Sequence, residues 1–157
     1  MQKITPFLWF NANAEEAVNF YVSLFPSSKI VETSRWGDSG PLPKGTLLSA
    51  TFELRGQRFM AMNAGQDRTY SEAISFFVDC ETQEEIDSYW NALCESGTPQ
   101  PCGWLKDKYG VSWQIIPSIL GKLMNDKDPA KAGRVVQAML KMKKIDIAEL
   151  KRAYEGG

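Results

Sequence analysis

Apolar and polar positions follow one pattern twice along the chain, in two copies that lie 69 positions apart. In each copy a short apolar run, Ile4–Phe10 or Ala73–Asp79, predicts a β-strand. A good N-cap residue follows, Asn13 or Thr82, with a glutamate three positions later, which is the spacing of a capping box. The repeat therefore predicts two units that each begin with a strand and a helix.

Both copies continue with apolar residues at positions i, i+3, i+4 and i+7, which predict one face of an amphipathic helix. These residues are Ala17, Phe20, Tyr21 and Leu24 in the first copy, and Ile86, Tyr89, Trp90 and Leu93 in the second. Any two amphipathic helices share this spacing. Because the caps, the glutamates and the apolar positions agree at one offset, we favour a true duplication. Two such modules can form one pseudo-symmetric sheet with a cavity between the halves.

Further strands follow each helix, so both halves have the order β-α and then two or three β-strands. The predicted segments are Lys29–Trp36, the hairpin of Thr46–Leu54 and Gln57–Asn63, and the pair Cys102–Lys106 and Val111–Ile116. A flexible loop is expected at Gly37–Pro43, and Asp107 and Lys108 are expected to be solvated in a turn. We divide this single domain into a first module, 1–66, a second module, 67–117, and a C-terminal helical extension, 118–157.

The composition is that of an ordinary globular protein: 157 residues, 43% hydrophobic and 24% charged, with a net charge of −1. This charge favours neither nucleic acid nor an anionic membrane as a partner. The N-terminal apolar run is too short for a signal peptide or a transmembrane segment, so we expect a cytoplasmic protein. The three cysteines have no metal-ligand spacing and are expected to be reduced thiols.

Histidine is absent from the sequence. This absence excludes Ser–His and Cys–His catalysis and every metal site that needs imidazole. The glutamate pairs near the two N-caps are expected to serve the helix ends rather than acid–base catalysis. The sequence therefore assigns no catalytic residue.

With these modules, the chain resembles the vicinal oxygen chelate superfamily, which includes glyoxalase I, fosfomycin and bleomycin resistance proteins and extradiol dioxygenases. Within it, the chain is similar to the PhnB-like group that is often labelled 3-demethylubiquinone-9 3-methyltransferase. The similar segments are Ile4–Phe10, Ala14–Ala17, Phe20–Tyr21, Glu72–Phe76, Cys102–Gln114 and Met142–Asp146. The resemblance implies an α+β fold of two βαβββ modules that form a curved mixed sheet, with C-terminal helices added.

Metal enzymes of this superfamily place His or Glu ligands on the first and last strands of each module. The resemblance puts these positions in Thr5–Phe7, in Ala73–Ser75, near Met62 or Asn63, and at Gln114. No residue there supplies an imidazole or an anionic oxygen, so we expect no metal and no cofactor. The methyltransferase label is not supported either, because no glycine-rich loop joins a strand to a helix as S-adenosylmethionine binding usually requires.

Strand alternation places Gln114 on the face opposite Trp113, and the resemblance makes that face the lining of the cup. The residues expected to contact a ligand are Trp9, Met62, Ser75, Phe77, Trp104 and Gln114. Two alternatives stay open. Gln114 could instead make a structural hydrogen bond, and large side chains could simply fill the cup.

The favoured function is metal-independent binding of a small apolar or aromatic molecule, by a PhnB-like protein of unknown physiological role. One alternative is an enzyme that acts on a quinone-like or glyoxalase-like substrate, and another is a structural homodimer that binds no ligand. A homodimer is expected because the curved sheet of one module leaves an open apolar edge and face. The stripe of Val135, Met139 and Met142 supplies further apolar surface that a small domain does not cover alone. If the C-terminal helices instead fold back on their own chain, a monomer is expected.

Overall fold

The computed structural model describes residues 2–157, which form two compact units that divide between Thr69 and Tyr70. Each unit contains a four-stranded mixed sheet, and the strand–helix–three-strand order occurs in both. The second unit also contains the three C-terminal helices. The predicted α+β fold of two βαβββ modules with a helical extension is therefore confirmed.

In the first unit the strands lie in the order β1-β4-β3-β2, with β1 parallel to β4 and the other neighbours antiparallel. The elements are β1 Phe7–Phe10, α1 Ala14–Leu24, β2 Lys29–Arg35, β3 Leu47–Leu54 and β4 Gln57–Asn63. Strand β1 begins later than the predicted Ile4. Pro6 accepts a hydrogen bond from Met60 N but has no N–H of its own, which limits the pairing there.

The second unit repeats this topology as β5-β8-β7-β6, with β5 parallel to β8. Its elements are β5 Phe76–Cys80, α2 Gln83–Cys94, β6 Thr98–Pro99, β7 Trp104–Lys106, β8 Ser112–Pro117, α3 Ser118–Met124, α4 Pro129–Met139 and α5 Ile147–Glu155. The strand predicted from Cys102 begins only at Trp104. Cys102 and Gly103 both have positive φ, 63° and 81°, so the backbone turns there instead of extending.

The two helices match the duplication unequally. In α2 all four predicted residues are buried, namely Ile86, Tyr89, Trp90 and Leu93. In α1 the buried residues are Ala14, Ala17, Val18 and Tyr21, whereas two of the predicted residues, Phe20 and Leu24, are only half-buried. The capping boxes also differ: Thr82 Oγ1 accepts from Glu85 N, but the side chain of Asn13 makes no capping hydrogen bond.

Asn63, at the end of β4, replaces the missing cap. Its side chain is fully buried, and Oδ1 accepts a hydrogen bond of 2.8 Å from Ala14 N, in the first turn of α1. Its amide nitrogen donates to Leu47 O at 2.9 Å. One carboxamide thus joins β4, β3 and α1, which satisfies a backbone donor that the helix leaves unpaired. The capping box predicted at Asn13 is wrong because this long-range contact takes its place.

Strand pairing shows that the repeat does not have a single offset. Phe7 pairs with Met60 in the first unit, and Phe77 pairs with Gln114 in the second. The buried residues of β1, Leu8 and Phe10, match those of β5, Val78 and Cys80, so the first strands correspond at 70 positions. The N-caps Asn13 and Thr82 correspond at 69. The link from strand to helix is one residue shorter in the second unit. By pairing, the first-unit counterpart of Gln114 is Met60.

The C-terminal helices pack on their own unit. Their buried cluster consists of Ile116, Leu120, Val135, Ile145 and Leu150, and both Met139 and Met142 pack against it. The stripe that predicted a dimer is therefore covered within the chain. Gln83 ties α2 to this extension, since its amide donates to Ile145 O at 3.0 Å and accepts from Ile147 N at 2.9 Å.

None of the helices formed by residues 2–157 combines the length and the apolar character that crossing a membrane requires. Cys80, Cys94 and Cys102 are all free thiols. Burial raises the pKa of the Cys94 thiol, so this side chain is less reactive than an ordinary cysteine.

The first prediction concerns Asn63. Asn63→Ala should lower the free energy of unfolding by about 3 kcal/mol, because it leaves Ala14 N–H and Leu47 C=O without partners in a buried place. Thermal unfolding followed by circular dichroism checks this. The control is Asn19→Ala on the exposed side of α1, which should change little. Equal melting temperatures for the two variants would contradict the capping role of Asn63.

Candidate functional site

The sheet of the second unit presents two different faces, because successive strand residues point to opposite sides. One face is apolar and packs with α2, and it contains Val78, Leu105 and Ile115, all buried. The other face has Gln114 at its centre, paired with Phe77 on β5 and with Trp104 on β7. We call this side, with Ser75, Phe77, Trp104, Ser112 and Gln114, the Gln114 face.

A buried carboxylate in the β7–β8 turn positions this face. Asp107 Oδ1 accepts hydrogen bonds from Tyr109 N at 2.9 Å and from Val111 N at 3.0 Å. Oδ2 accepts from Trp113 Nε1 at 2.9 Å. The expectation that Asp107 is solvated is wrong, since only 3% of it is exposed. It shapes the turn and holds the indole on the α2 side, so the next residue, Gln114, points to the other side.

The same turn affects Tyr70. Burial, together with the negative charge of Asp107, raises the pKa of the Tyr70 phenol well above its usual range. Tyr70 also lies next to Gly110, since a Cβ built on that glycine would be 3.7 Å from its ring. The phenol therefore remains protonated at neutral pH, and it adds no charge to the β7–β8 turn.

Gln114 is half-buried and makes one side-chain contact of defined direction. Its Nε2 donates a 2.9 Å hydrogen bond to Ser75 Oγ. Within residues 2–157 the oxygen of the Gln114 amide receives no hydrogen bond. The structural hydrogen bond that is the alternative role of Gln114 thus exists, but it uses only part of the hydrogen-bonding capacity of the amide.

Two further features complete the Gln114 face. The hydroxyl of Ser112 is buried and has no hydrogen-bond partner in the described part of the chain. Lys106, which pairs with Ser112 across the strands, forms an ion pair with Glu72. The hydrogen bond from Lys106 lowers the pKa of the Glu72 carboxyl, so this carboxylate remains charged at neutral pH and pairs with Lys106.

The aromatic residues on this face remain accessible. Phe77 is 60% exposed and Trp104 is half-buried. Ile116, two positions beyond Gln114, is covered by the cluster of the C-terminal helices. The face is therefore covered at Ile116, polar at Ser75 and Gln114, and open at Phe77. The exposed Asp79, which pairs with Ile116, adds a carboxylate at the covered end.

The other two predicted residues, Trp9 and Met62, belong to the first unit. They are paired neighbours on the parallel strands β1 and β4, on the side opposite α1. Trp9 Nε1 donates to Gln66 O at 2.8 Å, and the Arg68 guanidinium lies 5.2 Å from the indole centroid. Of the six predicted residues, two therefore lie in the first unit and four, including Gln114, lie in the second.

The structure also identifies residues that the sequence reasoning missed. Ser112 lies on the Gln114 side by strand alternation, and the sequence offers no signal that its hydroxyl lacks a partner. Arg68 stacks on Trp9 from a loop, and no sequence periodicity extends into that segment. The spacing Asp107-x-x-Gly110 before a strand is typical of a turn in which the Asp side chain accepts backbone N–H groups.

The metal positions of the resembled superfamily do not suit a metal here. No group of three or more His, Cys, Asp or Glu side chains able to hold an ion occurs among residues 2–157. The side chain at the last-strand ligand position is the neutral amide of Gln114, and its nitrogen donates a hydrogen bond to the Ser75 hydroxyl. A divalent cation requires anionic or imidazole ligands, which these positions do not supply.

Comparison with known proteins gives a consistent result. The family model described as 3-demethylubiquinone-9 3-methyltransferase matches residues 2–116. A PhnB protein from Bacillus cereus is 46% identical, with 74% of this chain and 100% of that chain covered and a TM-score of 0.69. A Pseudomonas aeruginosa protein is 24% identical and shows the same fold, with a TM-score of 0.63 and coverage of 74% and 98%. Among curated proteins, none matches this chain.

The matched region contains both modules and stops near the end of β8, so the C-terminal helices lie beyond the family model. The fold, the extent of the match and the identity to the Bacillus cereus protein agree. The chain belongs to the family described as 3-demethylubiquinone-9 3-methyltransferase and is a PhnB-like protein.

Proposed function

We propose that this protein binds a small apolar or aromatic molecule on the Gln114 face, without a metal or a cofactor. One observation carries the proposal. Gln114 is half-buried on a strand whose other residues are buried, and the aromatic side chains of Phe77 and Trp104 lie on either side of it. A few directed polar groups among aromatic side chains are typical of small-molecule sites.

The exposure of Phe77 supports the proposal energetically. A phenylalanine that is 60% exposed on a strand keeps apolar area in contact with water. Full burial of such a side chain is worth roughly 1.5–3 kcal/mol, so a bound ring would recover part of this free energy. The exposure also argues against a face that is filled by its own side chains, which is the basis of the purely structural alternative.

Methyl transfer is less well supported. The family description names a ubiquinone precursor as methyl acceptor, but the glycine-rich segment between Gly37 and Gly45 joins strand β2 to strand β3. It does not open a helix, whose N-terminal N–H groups would serve a cofactor. An enzyme that acts on a quinone-like or glyoxalase-like substrate would also need an acid–base group. On the Gln114 face, the ionisable side chains are Asp79, which bonds Ser118, and Lys106, which pairs with Glu72.

We place the protein in the cytoplasm. The three cysteines are free, and two of them, Cys94 and Cys102, are only partly buried. Thiols that are not fully protected persist best in a reducing compartment. The family match and the fold are compatible with this location, which cell fractionation would test.

The second prediction is that the purified protein contains no stoichiometric divalent metal. The reason is the neutral amide and hydroxyl donors at the positions where relatives of this superfamily place metal ligands. Elemental mass spectrometry after mild dialysis provides the measurement. One equivalent of zinc, nickel, manganese or iron per chain, lost in the variant Gln114→Ala, would overturn the metal-free proposal.

The third prediction separates ligand binding from a structural role of Gln114. Gln114→Leu removes one hydrogen bond, so it should cost about 1 kcal/mol and lower the melting temperature by only about 3 °C. A small molecule that co-purifies with the wild-type protein should be absent from the variant in native mass spectrometry.

The matched control is Gln137→Leu, a glutamine-to-leucine change on the exposed side of α4. It should keep both the bound molecule and the melting temperature. A Gln114→Leu protein that melts many degrees lower but still contains the molecule would show that Gln114 is structural and lies outside the site.

A homodimer is part of the proposal, and of its two expected grounds only the open sheet edge supports it. The stripe at Val135 is covered by the C-terminal helices of the same chain. Strand β2, however, forms one edge of the first sheet, and all of its residues are exposed. Ile30 and Val31, 39% and 44% exposed, add apolar area to this edge. An edge with free backbone groups can pair with a second copy.

The fourth prediction is therefore a dimer mass in analytical ultracentrifugation at micromolar concentration. Val31→Lys should shift the mass to that of a monomer, because a charge on the edge opposes strand pairing. Leu140→Lys is the control, since it places the same charge on an exposed leucine of the C-terminal helices. A monomer mass for the wild-type protein would contradict the proposal, and a monomer for Leu140→Lys alone would move the interface to the extension.

A further inference from the structure

The hydrogen bond between Gln114 and Ser75 leaves a defined set of donors and acceptors. The Gln114 nitrogen donates to Ser75 Oγ at 2.9 Å, so the Ser75 oxygen acts as an acceptor and its own O–H proton points elsewhere. The Gln114 oxygen, an acceptor, receives no hydrogen bond within the part of the chain that the structure describes. The pair therefore offers one acceptor and one donor, joined by their own hydrogen bond.

Ser112 provides an independent observation on the same face. It lies two positions before Gln114 on β8, only 3% of it is exposed, and its hydroxyl has no partner among residues 2–157. A buried hydroxyl without a hydrogen bond is unfavourable. Because it lies near Ser75 and Gln114, this hydroxyl indicates that this part of the face can make hydrogen bonds with a bound molecule.

The charges around this group favour a neutral ligand. The cation beside Ser112, Lys106, is paired with Glu72, which also accepts a hydrogen bond from Gln100 at 3.3 Å. At the other end of the face Asp79 accepts a 2.8 Å hydrogen bond from Ser118 and remains exposed. An anion would meet no free positive charge and would approach the Asp79 carboxylate, so its desolvation would not be compensated.

The aromatic side chains determine the shape of the ligand. Phe77 and Trp104 stand on the two strands that flank β8, and the strand spacing places them roughly 10 Å apart across Gln114. A flat ring system can occupy this space and contact both aromatic groups. Its polar substituent would then lie over Gln114 and Ser75.

From these observations we infer that the molecule bound on the Gln114 face is an uncharged aromatic compound whose polar group presents a donor and an acceptor side by side. A primary carboxamide and a hydroxyl beside a carbonyl both have this arrangement. The donor of the ligand bonds the Gln114 oxygen, and its acceptor receives the Ser75 hydroxyl proton. This inference rests on the proposed function, since it specifies the class of ligand for the same site.

The fifth prediction tests the inference with four probes that share one ring system: 2-naphthamide, naphthalene, 2-naphthoate and 2-naphthylmethylamine. Each is titrated into the full chain and followed by ligand-observed NMR. We expect 2-naphthamide to bind at least about tenfold more tightly than the other three. Naphthalene offers no polar group. The naphthoate would bring its negative charge near the Asp79 carboxylate, and the amine has donors but no acceptor for the Ser75 hydroxyl proton.

The outcomes distinguish the inference from the proposed function. Equal affinity for naphthalene and 2-naphthamide would support an apolar site and overturn the inference alone. Tightest binding of the naphthoate or of the amine would overturn the neutral class in the same way. If none of the probes binds, the proposed function fails, and the inference fails with it.

Two variants test the assigned atoms. Ser75→Ala removes the donor, and Gln114→Glu replaces the amide that donates to Ser75 with a charged carboxylate. Both variants should lose the preference for 2-naphthamide. The affinity of Ser75→Ala for naphthalene should change less than twofold. The control Ser39→Ala, in the exposed loop of the first unit, should keep the preference. Retention of the preference in Ser75→Ala would overturn the assignment.

Discussion

The parallel pairing of the first and last strands within each module determines most of what this structure can do. A strand cannot be joined to its parallel neighbour by a tight hairpin. The chain therefore leaves the sheet, forms a helix and returns at the far edge, from which antiparallel strands lead back to the first strand. The helix covers one face of the sheet, and alternate strand residues remain on the other face. In the second unit the pairing of β5 with β8 brings Phe77 beside Gln114, and the antiparallel strand β7 adds Trp104 on the other side.

Buried polar side chains stabilise this arrangement at different places in the two modules. In the first, Asn63 joins the end of β4 to α1 and β3. In the second, Asp107 organises the turn before β8 and holds Trp113, while Thr82 caps α2 locally. Because Asn63 performs the capping from a distance, Asn13 is not needed for it. The modules have thus kept their topology, whereas their polar contacts have diverged.

This divergence extends to the chemistry of the site. Metal enzymes of the superfamily need anionic or imidazole donors on these strands, but this chain places an amide and a hydroxyl there. A neutral pair of this kind directs a ligand through hydrogen bonds and cannot polarise it as a cation would. In the function that we propose, the flanking aromatic groups would contact a flat molecule, and no metal-assisted reaction is involved.

The sequence by itself determined the module order, the buried face of α2 and the family, because periodicity and caps depend on neighbours within one helix or strand. It also placed Gln114 opposite Trp113, since alternation is local. Only the tertiary structure decided that Asn63 caps α1, that Asp107 is buried, and that Val135 is covered by its own chain. Each of these depends on contacts between residues far apart in sequence. The contact partner of a buried polar or apolar group depends on how distant segments pack together, and a local sequence pattern does not contain this information.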